Sequence, residues 1–256
     1  MNLLFGTDGV RGPVGTELNE DSVRALGLAV SKSLKASRVV VGFDTRESSP
    51  QLASAISEGL LAGGLDVLLL GVAPTPAVAY VASLEEMAGV MISASHNLWS
   101  DNGVKIFDSG GRKLTDESQN TIQTDWQMTP SVRKLNLSVP DIVSDNRWAD
   151  SLVTSVEPES LNGMKLVIDC GNGATSGIAR SVFSRLGAQV SQIHASPNGR
   201  NINYKCGSTD PSDLQREVVH SAADAGLAFD GDGDRVVAVA ADGNVEQHAW
   251  VVYSHC

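Results

Sequence analysis

Residues 89–107 read GVMISASHNLWSDNGVKIF, an apolar strand-like run that breaks into Ser93, Ser95, His96 and Asn97 and then returns to a second apolar run carrying Lys105. From Ala88 to Ser93 the run lacks the alternation of a half-exposed strand. It reads instead as a strand buried on both faces, the kind that helices cover in a parallel or mixed sheet. SDNG at 100–103 has turn composition, and VKIF beyond it reads as a returning strand that brings Lys105 back beside Ser95.

The same strand–helix rhythm extends outward from this stretch. Asn19 is predicted to cap a helix over 20–35, with Val23, Leu26, Leu28 and Leu34 as its apolar stripe and Glu20 and Asp21 in its first turn. RVVVGFD at 38–44 reads as a buried strand, SSPQLASAISEGLLAGG at 48–64 as a helix stopped by Gly63 and Gly64, DVLLLG at 66–71 as a strand and TPAVAYVAS at 75–83 as a short helix. Residues 127–162 lose the rhythm and carry Pro130, Pro140 and Pro158, so a boundary is expected near 140, with a helix around 146–156. The pattern restarts with strands at MKLVIDC (164–170), AQVSQIH (188–194) and AGLAF (225–229), and helices at ATSGIARSVFSRLG (174–187) and PSDLQREVVHSA (211–222). The expected fold is α/β, with two consecutive domains over 1–140 and 141–256, each a mixed or parallel sheet with helices on both faces. In such sheets chemistry gathers where strands end, and polar clusters at 44–49, 93–97, 169–173 and 230–235 each follow a predicted strand.

Composition narrows the function classes. The chain is 42% apolar over 256 residues, enough for a core in each domain. Its 19 basic against 30 acidic residues give a net charge of −11, which excludes a nucleic-acid partner. A protein of this charge that handles anionic small molecules gathers its few cations, or a metal ion, at the site itself. The first residues, MNLLFGTDGVRG, have no secretory-signal pattern, and the apolar stretch at 68–82 is interrupted by Pro74 and Pro76, so neither a membrane partner nor a membrane span is expected. Cys170, Cys206 and Cys256 are odd in number and lack C-x-x-C spacing, which fits the reduced cytoplasm.

The strongest motif is FDGDGDRVVAV at 229–239. Asp230, Asp232 and Asp234 repel one another unless a cation neutralises them, and the intervening glycines let the backbone curl until all three face one point. All-oxygen donors indicate Mg²⁺, Mn²⁺ or Ca²⁺ rather than zinc. An EF-hand loop is excluded, because Arg235 and Ala241 stand where it requires glycine and glutamate. Ser95 lacks the G-x-S-x-G of an esterase, and a histidine adjacent in sequence is poorly placed as its base. A phosphoryl group accepted and returned by the hydroxyl suits a chain that also offers a metal loop, with Lys105 as proton-transfer group or phosphate contact. FGTDGVRG at 5–12 sets Arg11 among glycines that let backbone amides approach an anion. GFDTRESSP at 42–50 places Asp44, Thr45 and Arg46 before a helix N-terminus, where Arg46 either meets an anion or pairs with Asp44. DCGNGATSG at 169–177 lacks a full dinucleotide fingerprint and reads as a closely packed turn. Trp99, His194, His220, His248 and His255 read as core or surface residues, since none has metal-ligand spacing.

Taken in order, FGTDGVRG, GFDTRESSP, ISASHNLWSDNGVKIF and DGDGDR resemble the α-D-phosphohexomutase superfamily. PNGRNINYKCGSTDP at 197–211 is most similar to its phosphoglucosamine mutase branch. The resemblance implies a phosphoserine at Ser95 that gives its phosphate to one sugar hydroxyl and recovers it from another through a bisphosphorylated sugar. It implies Mg²⁺ held by Asp230, Asp232, Asp234 and the Ser95 phosphate. Arg11, His96, Lys105 and Arg235 match family active-site positions, and Arg46, Asn97 and Arg235 join Arg11 as expected phosphate contacts. The implied reaction interconverts glucosamine 6-phosphate and glucosamine 1-phosphate, with phosphomannomutase or phosphoglucomutase activity, or an inactive metal-binding fragment, as alternatives. Leu98 and Phe43 depart from the family's proline and arginine. The family's third and fourth domains, which recognise sugar and grip phosphate, find no counterpart before Cys256, so a C-terminally truncated chain able to self-associate through its uncovered surface is expected.

Overall fold

The computed structural model describes residues 4–6, 9–129 and 131–246; Cys256, His248 and His255 lie outside them. Contacts divide the chain into two compact units, Met1–Ala94 with Ser100–Asp145, and Ser95–Trp99 with Asn146–Cys256. The division falls between Asp145 and Asn146, and it assigns the serine segment to the second unit.

The first unit contains β1 (Val10–Pro13), α1 (Glu20–Ser33), β2 (Arg38–Phe43), α2 (Ser49–Ala62), β3 (Asp66–Val72), α3 (Thr75–Leu84), β4 (Ala88–Ile92), β5 (Asp101–Asp108), β6 (Arg112–Lys113) and α4 (Asp116–Met128). Its strands run in the order β1-β5-β4-β2-β3, with β6 on β5. β2 lies parallel to β3 and β4, whereas β5 is antiparallel to β4, β1 and β6. The unbroken apolar runs of β2 and β4 are buried as their composition requires. Asn19 caps α1 with a reciprocal capping box: its side chain accepts from the Ser22 amide while Ser22 Oγ accepts from the Asn19 amide.

α1 and α2 cross through glycines. A Cβ on Gly59 would stand 2.1 Å from the Arg24 carbonyl oxygen, and one on Gly27 2.5 Å from that of Ile56. Beside this crossing Arg24 is buried, donating from Nε to Glu58 at 2.6 Å and from Nη1 to Asp21 and the Val132 carbonyl, so its charge is matched where water is excluded.

Elements of this unit depart from the sequence reading. SDNG does not turn: Asp101, Asn102 and Gly103 are strand residues of β5 opposite Pro13, Gly12 and Arg11. Gly103 is small because the carbonyls of Ser93 and Val10 would lie 2.6 Å from a Cβ there, and the chain reverses earlier, over 95–100. α4 escaped notice because only Ile122 and Trp126 are buried on it; its signal was the Thr115 cap and that single i, i+4 apolar pair. β1 was hidden in a glycine-rich segment.

The second unit contains α5 (Arg147–Thr154), β7 (Lys165–Asp169), α6 (Ala179–Arg185), β8 (Gln189–Ile193), α7 (Ser212–His220), β9 (Ala225–Phe229), β10 (Val236–Ala240) and β11 (Val245–Glu246). The strand order is β11-β10-β9-β7-β8, with β7 parallel to β8 and β9, and β10 antiparallel to β9 and β11. Alternation along β7 loads both faces: Val167 packs with Leu214 and Val218 of α7, and Ile168 clusters with Ala179 and Phe183 of α6. The helix expected over 174–187 is a 3₁₀ turn, Ala174–Gly177, followed by α6. The Ala174 amide is drawn to the Gly231 carbonyl at 2.8 Å, and glycine at 177 gives the helix no support across the break. No helix among the described residues is long and apolar enough to cross a membrane.

Candidate active site

Ser95 sits in the left-handed region at φ 53°, a conformation that costs a non-glycine residue about 1 kcal/mol. Asn203 holds it there, donating from Nδ2 to the Ser95 carbonyl at 2.8 Å and to the Asn97 carbonyl at 3.0 Å, while its own amide is tied to the Gly171 carbonyl at 2.9 Å. Sequence reading missed Asn203; its only signal was its place in the NINY stretch.

β9 ends at Phe229 and β10 begins at Val236, so their antiparallel pairing closes residues 230–235 into a tight loop. Within it the Gly233 amide donates to the Asp230 carbonyl at 3.0 Å and the Asp230 amide to the Arg235 carbonyl at 3.3 Å. Gly231 lies against the serine segment, where a Cβ would stand 2.7 Å from the Ser95 carbonyl oxygen and from Asn203 Nδ2. Gly173 is packed as closely on Gly231. These glycines let loop and serine touch.

The Ser95 hydroxyl donates to Asp230 Oδ2 at 2.6 Å and accepts from Arg235 Nη2 at 2.6 Å. Arg235 Nη2 stands 3.3 Å from Asp230 Oδ2 and contacts His96 Nδ1, and Arg235 Nε lies 3.5 Å from Asp234 Oδ1. One carboxylate oxygen each from Asp230, Asp232 and Asp234 falls within 4.8 Å of the others. Asp230 and Asp232 are fully buried. Burial, and then the charges of Asp232 and Asp234, push the Asp230 carboxyl up to about 8. A donor set of three carboxylates beside a hydroxyl, with no nitrogen or sulfur, fits a hard divalent cation, which would relieve the repulsion that raises Asp230.

The remaining predicted residues lie in the first unit. Lys105 is buried in β5 opposite Met91, and Arg11 lies in β1 opposite Gly103. Arg46 is buried with Asp44, its Nε on Oδ2 at 2.8 Å and its amide on Oδ1, while Nη1 donates to the Asp101 carbonyl. Asp44 also accepts from Ser49 and Ser93. These bonds build the structural pair with Asp44, one of the two uses the sequence left open for Arg46.

A buried serine oxygen bonded to both a carboxylate and a guanidinium, next to a clustered set of acids, is an arrangement for moving a group that carries negative charge. Two family models match the chain: phosphoglucomutase/phosphomannomutase alpha/beta/alpha domain I over residues 2–131 and domain II over residues 146–243. The chain belongs to the phosphoglucomutase/phosphomannomutase family. It is 45% identical to a phosphoglucosamine mutase of Rhodococcus jostii strain RHA1, over 96% of this chain and 58% of that protein. It is 47% identical to one of Pseudomonas aeruginosa strain LESB58, over 92% and 55%. A phosphoglucomutase/phosphomannomutase family protein from Burkholderia thailandensis superposes with a TM-score of 0.77 at 26% identity, over 94% of this chain and 55% of that one. The chain thus spans a little over half the length of the family members it matches.

Proposed function

We propose that the chain carries the phosphoserine and metal-binding parts of a phosphoglucosamine mutase that interconverts glucosamine 6-phosphate and glucosamine 1-phosphate. The observation that carries this is the 2.6 Å bond from Ser95 Oγ to Asp230, within an acidic cluster fit for a cation. The curated relatives at 45% and 47% identity support this sugar over mannose or glucose phosphates.

In this reading Ser95 carries the phosphoryl group. The bond from Ser95 Oγ to phosphorus breaks as a sugar hydroxyl oxygen forms its own, Lys105 takes the hydroxyl proton, and the departing serine oxygen is held by Arg235. Return of the other phosphate from the bisphosphorylated sugar restores the phosphoserine. Asp230, Asp232 and Asp234 would hold Mg²⁺ together with the Ser95 phosphate; bound there, the ion supplies neutralisation of charge on the transferring group. Arg235 shares the hydroxyl with Asp230 and so keeps the oxygen aimed at the cluster, while His96, Asn97 and Arg11 serve as phosphate contacts.

The test is conversion of glucosamine 6-phosphate by the chain with Mg²⁺ and a catalytic amount of glucosamine 1,6-bisphosphate, alongside mannose and glucose phosphates and Ser95→Ala. Product that depends on Ser95 supports the reading. Product retained in Ser95→Ala refutes the phosphoserine, and a clear preference for mannose or glucose phosphates refutes the sugar.

A further inference from the structure

The second unit also brings together a cluster of different chemistry. Asp169 closes β7, His194 directly follows β8, and Cys206 precedes a 3₁₀ turn at Gly207–Thr209. A carboxylate oxygen, an imidazole nitrogen and the thiol sulfur of the three all lie within 4.8 Å of one another.

Each of the three is held from behind. Asp169 Oδ1 accepts from the Gly171 amide at 2.8 Å, and Oδ2 from the Gly207 amide at 2.9 Å, which leaves Oδ2 a second lone pair. Asn172 Nδ2 points at Cys206 Sγ from 3.8 Å; burial, and then the charge of Asp169, push the thiol up to about 12, so a cation would displace its proton on taking the sulfur. The His194 carbonyl accepts from the Asn172 amide at 2.6 Å, and its backbone is held left-handed at φ 46°. On the ring, Nδ1 lies 3.1 Å from Asp169 Oδ2 and Nε2 3.2 Å from Asp213 Oδ2, and these carboxylates, Asp169 first, hold the imidazole above its ordinary pKa. Nδ1 is buried against Asp169 Oδ2, where a bound cation would take the place of the ring proton. A carboxylate behind the far nitrogen of a ligating histidine is the usual support of a metal site.

We propose that Asp169, His194 and Cys206 form a second metal site, distinct in its residues from the aspartate loop, that takes Zn²⁺ or another borderline-soft divalent ion. One sulfur, one nitrogen and one oxygen select zinc over magnesium, and three protein ligands leave a fourth position for water, reached past the partly exposed His194 ring. The sequence hid the site because its ligands come from three strand-end loops rather than from one metal-binding motif.

The experiment is titration of the metal-stripped chain with Co²⁺ in the presence of saturating Mg²⁺. A thiolate-to-cobalt charge-transfer band rising to one equivalent, and displaced by Zn²⁺, is expected; the aspartate loop has no sulfur and gives no such band. Cys206→Ser removes the band with the circular dichroism spectrum retained, His194→Gln weakens Co²⁺ binding at least about tenfold, and Cys256→Ser leaves the band in place. Absence of the band in the unaltered chain, or its persistence in Cys206→Ser, overturns the proposal.

Discussion

Replacing Asp230 with asparagine is expected to stabilise the metal-free protein at alkaline pH while removing the proposed phosphoryl transfer. The Asp230 carboxyl is raised from 3.8 to about 8, first by burial and then by Asp232 and Asp234. Its folded-state pKa thus lies above the unfolded value, so the folded chain binds the extra proton and loses stability as pH rises through the interval between them. Asparagine imitates the neutral acid and does not titrate. Between about pH 5 and about pH 9 the folded wild type must give up that proton over roughly three pH units, so the stability gap moves toward the variant by on the order of 4 kcal/mol. Urea unfolding followed by circular dichroism in EDTA, on both proteins at both pH values, measures the gap. Near-equal stability at the lower pH, a more stable Asp230→Asn at the higher pH, and reversal of that order by Mg²⁺ are expected. A gap that stays constant with pH, or moves toward the wild type in EDTA, refutes the reasoning.

Gly59→Ala forces a Cβ to within 2.1 Å of the Arg24 carbonyl oxygen; a loss of about 2 kcal/mol, read as a lower Tm, is expected, and an unchanged Tm counts against the close helix crossing. Asp44→Ala strands the buried Arg46 guanidinium and the hydroxyls of Ser49 and Ser93, so the urea midpoint should fall by the equivalent of about 3–5 kcal/mol. Asn203→Ala releases the carbonyls of Ser95 and Asn97. Stability should drop by about 1–2 kcal/mol, and turnover with glucosamine phosphate should fall mainly in kcat; a wild-type kcat would show that the serine loop needs no such anchor.

Much of this protein is written locally. The Asn19 cap, the doubly buried runs at 39–43 and 88–92 and the restart of the rhythm after 160 follow from side-chain periodicity, because each element is specified by residues within a few positions of one another. The aspartate loop is legible for the same reason: three carboxylates and two glycines within five residues leave the backbone few choices. α4 was not legible, since one buried apolar pair on a polar helix gives almost no period.

What the tertiary structure alone decides is which distant groups meet. Ser95 takes a left-handed backbone held by Asn203, 108 residues away, and bonds to Asp230, 135 residues away. His194 reads in the sequence as a core or surface residue, and only the parallel pairing of β7 and β8 sets it beside Asp169 and Cys206. Local preference acts over a few residues along the chain, whereas a reactive cluster depends on where separate strands end, and that is set by the packing of whole sheets.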